Sequence, residues 1–456
     1  ITAEMRIVVE YQYTDRNYTR FLGYGGVKHE RATWNVAGYI YTETDIKNQP
    51  IQQSLSKEQL DVLKKAGDDT SLMMAESAYS DSYSENKILY KKVAVNGIQY
   101  YEYSNNPTDS LFMVSFSYVG QGNGDYKLTN AASIGKIYQY KDPDNGLKMG
   151  DYEPVVQLIA PTRLTIATLL GQFKPKATTL LDFEVAISNN DQNLFSPIDD
   201  DNNKGFAGKL NGNYRLLNNN WKIDIFGNFQ LVSENFKAIE RLYSIEFDRD
   251  WNVTNTQGKQ ALILVGAKAS TSEENHITYQ FERLAFGPEY IGNKQSVIAN
   301  YKLNNLTIHS NNSFLNAEGT IYDTKFLRSK SKILYKKDEK WAGIRLDMEN
   351  YQVKDVVSKQ FQNLSQKYSQ IDAFVGKGDS LKTFIETGYK FRVNDSLQNN
   401  VLNKVAQSHA LYIKTQLLKT NTRDLNIYAN YRRLKNNVSN EIEPTLNSRL
   451  TYNDRY

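Results

Sequence analysis

From about residue 161 onward, apolar and polar side chains alternate at every second position. Trp221, Ile223, Ile225, Phe229 and Leu231 alternate with Lys222, Asp224, Asn228 and Gln230, and Leu425, Ile427, Ala429 and Tyr431 alternate with Asn426, Asn430 and Arg432. Thr179, Leu181, Phe183, Val185 and Ile187 oppose Asp182 and Glu184. Leu381, Ile385, Tyr389, Phe391 and Val393 oppose Lys382, Glu386, Lys390 and Arg392. Period two is the spacing of one face of a strand, so each segment predicts a strand of about 9 to 13 residues with one apolar and one charged face. Roughly 15 such strands fit between Arg163 and Tyr456, with Thr324–Lys336 alternating least well.

A soluble sandwich shows the same alternation, so the connections have to separate the cases. Short turns at Lys174–Ala177, Asn218–Asn220, Ser272–Asn275, Lys336–Lys340, Gly376–Ser380 and Thr420–Arg423 interleave with long loops at Asn189–Gly205, Ser233–Lys259, Asn350–Tyr368 and Asn394–Gln407. Short turns at one end and long loops at the other are the arrangement of transmembrane β-barrels, whereas Greek-key sandwiches do not sort loop lengths. All nine prolines fall outside the expected strand interiors, as ladder hydrogen bonding requires. Within the loop Asn350–Tyr368, Val353, Val356, Val357, Phe361, Leu364 and Tyr368 recur at helical spacing and predict a short amphipathic helix. The odd strand count, and a last strand at Thr445–Tyr456 with no successor to pair with, lead to the expectation that the chain continues beyond Tyr456.

Residues 1–160 mix strands with turns. A strand is expected at Arg6–Tyr13 and a hairpin at Val93–Tyr100, where Asn96-Gly97 suits the two positive φ values of a type I′ turn; Asp144-Asn145-Gly146 suggests a second. Ser56 with Gln59 forms a capping box, Leu55 and Leu60 a hydrophobic staple, and Gly67 ends the helix that follows. The Ser-, Asp- and Met-rich stretch Asp68–Asn86 has no period and is expected at the surface. The expected fold is therefore all-β: a large antiparallel transmembrane β-barrel over 161–456, of roughly 16 or more strands when complete, preceded over 1–160 by a β-rich soluble module with one short helix.

Composition removes several function classes. With no cysteine, thiolate catalysis, disulfides and iron–sulfur ligation are excluded. Lys and Arg number 55 against 51 Asp and Glu, too even a balance to point to nucleic acid. The longest apolar run, Ala261–Ala267, is far shorter than the roughly 20 residues of a membrane helix. Thirty-two tyrosines against four histidines suit sheet surfaces better than catalytic pockets. His29, His276, His309 and His409 show no metal-ligand spacing.

The loop Asn189–Asn193 followed by Asp199–Asn203 offers hard oxygen ligands, and Asp191, Asp199, Asp200 and Asp201 form a candidate Ca²⁺ loop, without EF-hand spacing. The bland alternative is a solvated, turn-rich loop. Glu240, Arg241, Glu246, Asp248, Arg249 and Asp250 around Phe247 and Trp251 are a candidate acid–base cluster, although opposed charges this dense commonly pair with each other. Gly120-Gln121-Gly122-Asn123-Gly124 lacks the strand-to-helix context and Lys-Ser/Thr of a phosphate loop and is expected to be a glycine turn. Inward-facing charges of the strands would suit a polar lumen, open or plugged.

Trp34–Tyr41 leading to Asp45–Pro50, then Ser84–Tyr90, Gly150–Pro154 and Glu246–Asn252, resemble a group of large outer-membrane β-barrel proteins of Bacteroidota with a soluble β-rich N-terminal region. The likeness reaches to about residue 255, and its motifs mark the family without marking a mechanism. It implies a signal-bearing precursor, a Gram-negative outer membrane and no catalytic residues to carry over. The function expected is non-enzymatic: a transport, assembly or surface-scaffold component of the envelope, with outer-membrane lipid and other envelope proteins as partners and no cofactor beyond the candidate Ca²⁺. The rival is a soluble or surface-exposed carbohydrate-binding protein or glycoside hydrolase on β-sandwich domains, whose exposed Trp and Tyr would stack on sugars.

Overall fold

A computed structural model describes residues 17–51, 54–95, 97–132, 135–253, 258–379 and 382–454. The strand expected at Arg6–Tyr13, and residues Asn96 and Leu381, lie outside them. The described chain is nearly all β and contains a 17-stranded sheet. It divides into two compact units. One holds the described residues up to Gly25 with Ile40–Ile166 and Ser188–Lys204; the other holds Gly26–Tyr39, Ala167–Ile187 and the chain from Gly205 onward.

In the first unit, helix α1 (Lys57–Ala66) starts as its sequence dictates: Ser56 caps it, and the reciprocal Gln59 bond completes the box. It ends at Gly67, whose φ of 61° is the left-handed conformation that a β-carbon disfavours. Leu63 and Ala66 bury against Met73, Ala75, Leu158 and Ala160. Met73 and Ala75 thus correct the expected surface excursion: a few apolar residues in a polar stretch suffice to anchor it, and Met74–Glu76 pairs with Val155–Gln157. The hairpin Tyr90–Val95/Ile98–Tyr103 turns through Gly97 at φ 82°. Asn145 and Gly146 likewise turn at positive φ between the mutually bonded Asp144 and Leu147. Around the hairpin, Tyr90, Tyr101 and Tyr126 form a core with Phe116, Tyr138 and Tyr152. Gly124 and Gly150 bridge there, and a β-carbon on either would meet backbone of the facing segment.

The second unit is dominated by an antiparallel meander. Its strands are β1 (Lys204–Asn218), β2 (Lys222–Val232), β3 (Gln260–Ser270), β4 (His276–Phe286), β5 (Tyr290–Leu303), β6 (Leu306–Gly319) and β7 (Tyr322–Lys337). They continue as β8 (Lys340–Asp355), β9 (Gln366–Gly378), β10 (Phe384–Gln398), β11 (Val401–Lys419), β12 (Arg423–Asn436) and β13 (Ile442–Asp454). Each pairs with the next. With Arg163–Lys176 and Thr179–Asp191 they make fifteen described strands from Arg163 on, the number that the alternation predicts. The weakly alternating Thr324–Lys336 is the 16-residue β7.

Four expectations are corrected. Asn394–Gln407 is no long loop: β10 and β11 run through it and turn at Asn399-Asn400, at φ 51° and 63°, a conformation asparagine tolerates. The polar stretch reads as a loop because strand ends can be wet on both sides. No helix forms at 353–368. Val353 belongs to β8, Val357 is 91% exposed, and Asp355 accepts bonds from the amides of Val357 and Ser358 to close a turn. Pro175 and Pro444 do lie within strands, near the end of Arg163–Lys176 and in β13, which pairs only with β12 among the described residues; edges tolerate the missing donor. Loop lengths sort less cleanly than expected: β4–β5 and β6–β7 join through two or three residues, on the side where β2–β3 takes 27.

Candidate functional site

The two faces of the second unit's sheet are the reverse of a soluble protein's. Register places Ile344, Ala373, Tyr389, Leu411 and Tyr431 in one cross-strand row, beside a row of Leu346, Ile371 and Phe391. The row extends to Leu446 on β13. Ile371 is 49% exposed and Leu411 59%. On the opposite face the next residues inward are charged and covered: Asp372 is 2% exposed and Glu349 4%. Soluble antiparallel sheets turn their polar face to solvent, so a continuous exposed apolar face needs an apolar surrounding.

The covered face is an ion-pair and aromatic network. Arg345 binds Asp372 at 2.8 Å and Glu386 at 3.3 Å, and its guanidinium lies 3.7 Å from the Phe374 ring centroid. The Tyr412 hydroxyl donates to Asp372 at 3.1 Å, Trp341 Nε1 to Glu386 at 3.0 Å, and the Tyr368 hydroxyl to Asp347 at 3.0 Å. Each acid has donors around it, the condition under which buried charge is tolerated.

The loop between β2 and β3 lies on this same face. Its short helix α2 (Phe247–Trp251) buries Trp251 among Leu284, Tyr290, Leu315 and Phe326. Lys294 sits 4.3 Å from the Trp251 ring centroid, and the Tyr290 hydroxyl donates to the Trp251 carbonyl. Arg249 pairs with Glu349 at 3.1 Å and Arg328 with Asp250 at 3.0 Å. Arg249 also reaches Glu246 at 3.6 Å. The structure therefore brings part of the candidate acid–base cluster to the strands, where Arg249 and Asp250 fasten the loop. The signal that its charges pair with strand residues was absent from the sequence, because Glu349 and Arg328 are about 80 to 100 positions away. Beside the loop, Asp250, Glu282, Lys294, Arg328 and Lys330 line a 260 Å³ cleft.

In the first unit, the candidate calcium loop is tied into the chain. Asp191 binds Arg163 at 3.3 Å and accepts the Asn193 amide at 3.1 Å; Asp200 accepts from Asn203 at 2.8 Å. Asp199 and Asp201 are exposed in the turn that follows. Asn193, fully buried, donates to the carbonyls of Leu63 and Gly67, and Ser196 donates to that of Lys64. The loop thus satisfies the free carbonyls at the end of α1, a role that the acidic residues around it mask in the sequence. Burial, with the nearby Asp191, Asp199 and Asp200 charges, raises the Asp68 carboxyl above its usual range. No group of three His, Cys, Asp or Glu side chains among the described residues is arranged to hold a metal ion. Gly120 and Gly122 form the expected glycine turn, with the Gly122 amide donating to Asp151. His276 and His309 share Asn300, which the sequence did not foreshadow.

Neither a protein-family model nor a curated protein matches the chain. Solved structures similar in part are outer-membrane porins and their relatives. A BenF-like porin from Pseudomonas fluorescens Pf-5 is 10% identical, with 72% of this chain and 95% of that one covered at a TM-score of 0.29. OccAB3 of Acinetobacter baumannii is 11% identical, with 65% and 92% covered at 0.29. OccK5 (OpdH) of Pseudomonas aeruginosa is 10% identical, with 65% and 93% covered at 0.29. At that TM-score the environment of the sheet has to be read from this chain's own residues.

Proposed function

We propose that the second unit is an outer-membrane β-barrel wall whose exposed apolar face contacts lipid and whose charged face lines an aqueous lumen, and that the protein is a non-enzymatic transport component. The observation that carries this is the inversion of the faces: Ile344, Ile371, Leu411 and Tyr431 outward, Arg345, Asp372 and Glu386 inward. Strands of 11 to 19 residues meet or exceed the roughly 9 to 11 that cross a bilayer. The loop held by Arg249, Asp250 and Trp251 narrows that lumen. The finer role includes assembly or surface scaffolding in an envelope of the Bacteroidota type, with other envelope proteins as partners. The carbohydrate alternative is less favoured because several of the aromatic side chains that would stack on sugars are spent on protein: Tyr100 stacks on Tyr140 at 4.4 Å, Trp251 is buried, and Trp341 donates to Glu386.

Membrane fractionation with detergent extraction, followed by flotation of the purified chain with lipid vesicles, tests this. Extraction only by detergent and flotation with vesicles are expected. A monomer that stays soluble at high concentration without detergent overturns it.

A further inference from the structure

One row of the charged face takes no part in fastening the loop. Cross-strand register sets His309, Lys332, Arg345, Asp372 and Lys390 side by side, and then, beyond Ala410, Arg432. The row's carboxylate, Asp372, is taken up by Arg345. Lys332, Lys390 and Arg432 have no ion-pair partner among the described residues. Lys332 and Lys390 instead lie 6.0 and 4.8 Å from the ring centroids of Phe374 and Tyr412. Rings of this kind hold a cation in place without neutralising it. At about 4.8 Å per strand, Lys332 to Arg432 spans roughly 24 Å. The whole chain carries only +4, so the excess along this row is segregation of charge rather than general basicity.

We propose that this row is a binding track for solutes carrying two or more oxyanion groups, carboxylate or phosphate, moving along the polar face. Spaced cations without carboxylate partners attract such groups through Lys point charges and the planar Arg fork, and a solute with two anionic groups bridges neighbouring positions. The track deepens the proposed function and rests on the charged face lining an aqueous lumen.

The test uses the purified full chain, with inorganic pyrophosphate as the probe. Calorimetry in detergent measures binding without any need for conduction, and planar bilayers under a KCl gradient measure ion preference. Saturable pyrophosphate binding and a reversal potential on the chloride side are expected. The double variant Lys332→Gln/Lys390→Gln is expected to bind about tenfold more weakly. The charge reversal Lys332→Glu/Lys390→Glu is expected to move the reversal potential toward potassium. Heat-dependent gel migration checks that each variant is folded, and the glutamine pair, which adds no charge, stands in if the glutamate pair fails to fold. Absence of pyrophosphate binding, potassium preference in the unmodified chain, or binding that both variants leave unchanged overturns the track. Channels that conduct without anion preference sink the track alone, whereas no conductance in any bilayer sinks the lumen on which it rests.

Discussion

Tyr90 in the first unit and Ile371 in the second show how differently the two units use apolar side chains. Tyr90 packs inward with Tyr101 and Phe116, while the charged residues of its own hairpin, such as Lys91 and Glu102, pair at the surface. Ile371 is half exposed, whereas its chain neighbour Asp372 is almost fully covered. Both segments obey the same period-two alternation, so alternation specifies that two faces differ without specifying which one meets water. The covering does: aromatic rings seal the inner face of the first unit, and a charged network with an inserted loop occupies the inner face of the second.

The comparison can be broken in either unit. Leu63→Ala empties a fully buried site under α1 and is expected to cost about 4 kcal/mol; urea unfolding followed by hydrogen exchange should show the loss in the first unit while vesicle flotation persists. Asp372→Asn leaves Arg345 with Glu386 as its one carboxylate partner and is expected to cost about 3 kcal/mol in the second unit, measured by denaturant unfolding from lipid. Ile344→Lys places a charge on the apolar face and should cost about 2 to 3 kcal/mol of membrane stability. The same change at the exposed Leu72 of the first unit should stay within about 0.5 kcal/mol, and equal effects at the two sites would erase the distinction.

Alkaline pH should also loosen the aromatic core of the first unit. Burial pushes the Tyr90 hydroxyl from 10 up to about 12, and Tyr101 and Tyr126 move the same way for the same main reason. The folded state therefore holds these protons more tightly than the unfolded chain. The stability that Tyr90 contributes is complete below pH 10 and is lost as pH rises through about 12, and that of Tyr101 and Tyr126 is lost at still higher pH. Near-ultraviolet circular dichroism of Tyr90, Tyr101 and Tyr126 should report loss of this aromatic core in that window. A small effect is expected for Ser56→Ala, about 1 kcal/mol from the lost cap of α1, by thermal unfolding.

What the sequence makes legible is local. The capping box at Ser56, the turns at Gly97 and Asn145-Gly146, and the strands from Arg163 onward can all be read from neighbouring residues, because each depends on contacts a few positions away. Asn399-Asn400 shows the limit: a tight turn between wet strand ends looks like part of a loop. The apparent helix at Val353–Tyr368 shows another, since apolar residues recur at helical spacing while the chain folds back on β8. The functional face was legible as a period and illegible as a network. Arg345 meets Asp372, Glu386 and Tyr412 only through strand register, and Arg249 meets Glu349 across 100 residues.

The central claim is that the exposed apolar face lies in lipid. The chain has no cysteine, so single cysteines can be placed along β9 from Ser369 to Val375, labelled with a nitroxide and reconstituted in vesicles. Collision with oxygen, which concentrates in hydrocarbon, and with a water-soluble nickel chelate then reports the surroundings of each position. Strong oxygen and weak nickel collision at Ile371, Ala373 and Val375, reversed at Gln370 and Asp372, is the predicted result. Nickel access at Ile371, Ala373 and Val375 equal to that of an exposed loop position would contradict it.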